Sequence, residues 1–95
     1  MNPTDKDRRK DWKLAQQQLA RAAFPMPDLL LKSLFETVGT QIEESGCDHT
    51  LRFTKQWIAA HQQPESSVLD WLKHHGGFCD CEVVANAAEH WGANR

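Results

Sequence analysis

Leu30, Leu31, Leu34, Phe35, Val38 and Ile42 recur at intervals of mostly three and four residues. That spacing places six apolar side chains along one side of a helix, and such a stripe is stable only when other elements cover it. Pro27 suits the first turn of this helix, where the missing backbone donor has no partner to lose. Gly46 supplies its left-handed stop. The rest of the chain must therefore fold so as to bury this one face.

The covering elements read as helices too. Residues 5–24 carry Trp12, Ala15, Leu19, Ala22 and Ala23 at helical spacing, and the "FPMP" stretch at 24–27 ends that helix. After Gly46, Leu51, Thr54, Trp57, Ile58 and His61 share a broad face, with Asp48 placed as the N-cap and Arg52 four residues on as its ion-pair partner. Pro64 opens a helix bearing Val68, Leu69, Trp71 and Leu72, which Gly76 and Gly77 stop. Asp80 is placed as the next N-cap, ahead of Val83, Val84, Ala87, Ala88 and Trp91. Residues 79–84 also read as a short strand, given the adjacent valines, but the Asp cap and the Ala pairs favour helix. The expectation is a mainly α fold, a small single domain of four to five helices. Residues 1–24 form a peripheral N-terminal helix and 25–95 the helical core domain. Trp57 and Trp71 are expected in the core, Trp12 and Trp91 partly exposed.

Size and charge narrow the function classes. Ninety-five residues suffice for one domain, and 40% apolar with 25% charged residues suits a globular protein. No apolar run approaches a membrane span, and the polar start lacks the apolar segment of a signal peptide. Three cysteines without an export signal point to reduced thiols, so a cytoplasmic location is expected. Residues 1–24 hold six basic and three acidic groups, whereas 25–95 hold five basic and ten acidic ones. An acidic body does not attract phosphate, so neither nucleic acid nor membrane is an expected partner. The basic group Arg8, Arg9, Lys10 and Lys13 reads as a solvated helix face interleaved with Asp7 and Asp11.

Chemistry concentrates in two stretches, "GCDHTLRFT" from Gly46 and "CDCEVV" from Cys79. Cys47, His49, Cys79 and Cys81 offer three sulfurs and one imidazole nitrogen, a ligand set that zinc takes in a tetrahedron. Residues two apart diverge on a helix but face the same way in extended backbone, and both pairs follow a glycine stop. A four-ligand site leaves no open position for water, so zinc here would be structural. His74, His75 and His90 are further candidates for a fourth ligand. The same residues also suit a metal-free fold, with the cysteines as small apolar filler. Thiol redox chemistry is a third reading, opposed by Asp48, Asp80 and Glu82, which disfavour a thiolate. Nucleophilic catalysis lacks a defined base or anion site, and no catalytic residue is assigned.

Cys47-Asp48-His49-Thr50-Leu51-Arg52, Gly76-Gly77, Cys79-Asp80-Cys81-Glu82-Val83 and Asn86 carry a resemblance. In these residues the chain resembles a bacterial family of uncharacterised proteins, domain-of-unknown-function family 2695, over roughly residues 30–87. The first 24 residues lie outside the clear match. The resemblance implies no activity, substrate or cofactor, and it singles out the same two stretches as ligand chemistry does. The reading that follows is a non-enzymatic interaction or regulatory domain with an unidentified protein partner and an undetermined oligomeric state. The two Cys-Asp turns are expected to approach each other.

Overall fold

The computed structural model describes the backbone of residues 3–95 and the side chains from residue 11 onward. The chain forms α1 (Pro3–Ala22), α2 (Asp28–Ser45), α3 (Arg52–Ala60), α4 (Glu65–His74) and α5 (Asp80–Glu82). A π-helical segment (Val83–Ala87) and α6 (Ala88–Asn94) continue α5 without a break, making a fifth helical rod. Among the described residues there is no strand. The favoured helix reading of the last segment holds from Asp80 onward, Cys79 stays extended, and the strand alternative for 79–84 falls.

The apolar stripe of α2 is the centre of the core. Leu31, Leu34 and Val38 are fully buried and Phe35 nearly so. Trp57 and Ile58 of α3, Val68, Trp71 and Leu72 of α4, and Val83, Ala87 and Trp91 of the last rod close over them. Val83, Ala87 and Trp91 lie four apart, and the wider π turn between them keeps all three on the same inner face. Trp57 and Trp71 are buried as expected and Trp12 is exposed. Trp91 is not: its indole Nε1 donates to Asp28 Oδ1 at 2.9 Å, and Arg95 covers its ring at 4.5 Å. Asp28 lies out of reach of any local sequence pattern, and with Arg95 four residues on it holds the indole inside.

Turn chemistry sets the approach of α4 to the last rod. Gly76 has φ +85°, which suits glycine, and its carbonyl accepts from Asn86 Nδ2 at 3.0 Å. Gly77 donates to the Leu72 carbonyl at 2.7 Å, so the chain doubles tightly over the end of α4. A Cβ at Gly77 would meet Leu72 O at 2.9 Å and Val83 Cγ2 at 3.0 Å. Gly77→Ala should therefore lose about 1–3 kcal/mol of stability in urea titration. Gly92→Ala, where a Cβ meets nothing within 4 Å, should gain up to about 1 kcal/mol from helix propensity.

His75 and His90 stack with ring centroids 3.7 Å apart, against Trp71. Burial, then repulsion from neighbouring histidines, lowers both pKa values below 6.5. The fold thus favours both rings neutral. Above pH 6.5 neither state holds the proton and stability is full; as pH falls through 6.5 the unfolded chain takes up protons that the fold refuses. Thermal melts should show the midpoint falling between pH 7.5 and pH 5.5, and His90→Gln should flatten that slope.

Candidate metal centre

The loop between α2 and α3 carries Cys47, Asp48 and His49. Gly46 ends α2 with φ +76° and donates to Ile42 O at 2.7 Å. His49 is itself left-handed, with φ +67°. Outside glycine that conformation is uncommon, and it holds the loop in a tight bend. The His49 amide donates to Cys47 Sγ at 3.4 Å. On the other side, Cys79 is in extended backbone just before α5, whereas Cys81 already lies within α5.

The two Asp residues do not cap their own helices. Asp48 lies before the start of α3 and accepts from the Thr50 amide at 3.1 Å and the Thr50 hydroxyl at 2.5 Å, with Arg52 at 3.4 Å. The Thr50 hydroxyl is the first cause that lowers its pKa. The cap of α3 comes instead from Asp80, 26 and 27 residues further along. Asp80 is fully buried. Its carboxylate accepts from the Phe53 amide at 3.1 Å, the Thr54 amide at 3.0 Å and the Thr54 hydroxyl at 2.7 Å. In return the Asp80 amide donates to Thr50 O at 2.9 Å. A buried carboxylate is tolerated only when donors surround it, and the free amides of a helix start are well placed to do so.

This cross-cap brings the two Cys-Asp turns together. One ligand atom each from Cys47, His49 and Cys79 lie within 4.8 Å of one another. Two sulfurs on one zinc stand about 3.8 Å apart when each bond is ~2.3 Å and the site is tetrahedral. The cluster is thus within about 1 Å of the spacing a metal would impose. Cys47 is half-buried, His49 exposed and Cys79 buried. Cys81 is exposed and does not belong to this converging set, so three of the four expected ligands meet and the fourth stands beside them. His74, His75 and His90 are outside the cluster.

The sulfurs share protons unequally. The backbone N–H of Cys81, then that of His49, hydrogen-bonds to Cys47 and lowers its pKa. The Glu82 amide pulls Cys79 down, but burial and the nearby Cys47 sulfur outweigh it and its pKa is raised. A hydrogen bond to Cys47, then burial, pushes Cys81 up to about 11. Cys47 is therefore the first thiolate, and a cation would have to displace the remaining thiol protons. Sequence reasoning missed Asp80 as the organiser, because a cap supplied across the fold leaves no local spacing.

Asp80→Ala should cost at least about 2 kcal/mol, since three buried donors lose a charged acceptor. Asp48→Ala, on the exposed side and screened by solvent, should cost clearly less than Asp80→Ala. Urea titration of both variants measures the contrast.

The family profile described as "Protein of unknown function (DUF2695)" matches residues 34–86, which hold Cys47, His49, Cys79 and Cys81. The chain is also similar to "Uncharacterized protein Rv2271" of Mycobacterium tuberculosis (strain ATCC 25618 / H37Rv) and to "Uncharacterized protein Mb2294" of Mycobacterium bovis. Each is 32% identical over 88 residues, covering 88% of this chain and 89% of the relative. That span takes in part of α1, which the sequence resemblance left out. No solved structure matches the chain.

Proposed function

We infer a function for this chain as a member of DUF2695, the family of proteins of unknown function to which it belongs: a cytoplasmic, non-enzymatic interaction or regulatory domain stapled by structural zinc. The observation that carries the reading is the convergence of Cys47, His49 and Cys79 from two turns 30 residues apart. Their sulfur and nitrogen donors suit zinc, and Cys81 is the nearest group able to complete a tetrahedron. A closed Cys3His set holds no water for catalysis. The free cysteines support a cytoplasmic location. Among the described residues no helix is long and apolar enough to cross a membrane.

The metal-free alternative draws on one observation: Cys79 is buried beside the core, as an apolar filler would be. Thiol redox chemistry draws less support, because the exposed thiol, Cys81, has its pKa pushed up to about 11.

Metal analysis of untagged protein, expressed with added zinc and purified without chelator, should find close to one equivalent. At free zinc 100-fold above Kd the fold gains about 2.7 kcal/mol, which for this size raises Tm by roughly 10–20 °C. Chelation should remove that gain, and Cys47→Ser and Cys79→Ser should abolish it. A protein that carries no metal and melts at the same temperature in chelator would establish the metal-free alternative.

A further inference from the structure

The amphipathic helix α1 rests on its own body by the wrong face. Among the described side chains of α1, Gln17 and Ala20 are the partly covered ones, and Gln17 Nε2 reaches Ala93 O at 3.5 Å on α6. The apolar stripe of Trp12, Ala15, Leu19 and Ala22 faces solvent, with Trp12 66% and Leu19 65% exposed. The molecule is 54 Å long but only 24 × 20 Å across. Its Cα radius of gyration is 15.8 Å, against about 12 Å for a compact chain of this length. The protruding α1 spans about 30 Å.

The stripe is held away from the body of its own chain. The connection from Ala23 to Pro27 is anchored, since Met26 is buried and the Phe24 ring packs edge-on against Trp71 at 5.6 Å. Pro25 and Pro27 stiffen it further. A second face remains uncovered on α2. Leu29, Lys32, Glu36, Thr40 and Glu43 follow one another at helical spacing, all exposed, with Leu29 at 78%. This face carries an exposed leucine and two carboxylates beside one lysine. The charges are unlike: residues 1–24 sum to +3, whereas Lys32, Glu36 and Glu43 give the α2 face a net −1. Pairing α1 with another α1 would oppose +3 to +3, whereas α1 against α2 joins unlike charges.

We propose that α1 of one copy docks across the outer face of α2 in a second copy, reciprocally, to form a two-fold dimer. Trp12 and Leu19 cover the partner's α2 near its exposed leucine, and Lys13 faces its carboxylates. Each interface repeats the other under the two-fold, so the assembly closes at two copies. The dimer stands whether or not a metal is held, so its test and that of the zinc staple fail independently.

Sedimentation equilibrium of the full chain at 100 µM in low salt should give twice the 10.9 kDa chain mass. Leu19→Asp alters an exposed residue, so helical signal should persist while the dissociation constant rises at least tenfold. Lys13→Glu and Glu36→Lys should each weaken the dimer several-fold, and the two together should recover part of the loss. A monomer at 100 µM overturns the proposal, including one that captures a different protein. A dimer that Leu19→Asp leaves unchanged overturns it as well.

Discussion

The fold depends on one carboxylate. Asp80 belongs to the last helical rod, yet it satisfies the first free amides of α3 and the Thr54 hydroxyl beneath them. A nine-residue helix is too short to be stable on its own in water. Its start is secured by a group brought in from the far end of the domain. The same contact sets the distance between the α2–α3 loop and the turn before α5. Cys47, His49 and Cys79 converge because Asp80 has already joined their two segments.

A 95-residue domain leaves a large fraction of its surface uncovered, and here α1 adds little to the core. Among the described side chains the core set comes from α2, α3, α4 and the last rod, with Met26 of the α1–α2 connection and Leu51 just before α3. A metal staple between two loops would reinforce the junction that the Asp80 cap already makes. Gly76, Gly77 and Asn86 support the same junction from behind, by fixing the path from α4 into the last rod. Cys47, His49, Cys79, Gly76, Gly77 and Asn86 are thus parts of one junction, some of them possible ligands and others its framework.

The helices were legible in the sequence because their signals are local. The stripe from Leu30 to Ile42 and the stops at Gly46 and Gly76 depend on neighbours a few residues away. The candidate ligands were legible too, since sulfur and imidazole donors announce their chemistry. What the sequence hid was long-range. Asp48 and Asp80 look equivalent, but one closes a surface turn with Thr50 and the other reaches α3. Trp91 looks terminal and exposed until Asp28, 63 positions earlier, supplies its hydrogen-bond partner. Phe53 is buried although the periodic reading of its helix did not include it. Cys81 stands beside the converging set rather than within it, because α5 starts at Asp80 and takes it into the helix while Cys79 is still extended.

The central claim is that these two turns form one metal-binding junction. X-ray absorption at the zinc edge, on protein loaded with one equivalent, tests it most directly. The expected inner shell is three sulfurs at about 2.3 Å and one nitrogen at about 2.0 Å. A shell of oxygen and nitrogen without sulfur would contradict it, and would show that Cys47 and Cys79 are held together by packing and by Asp80 alone.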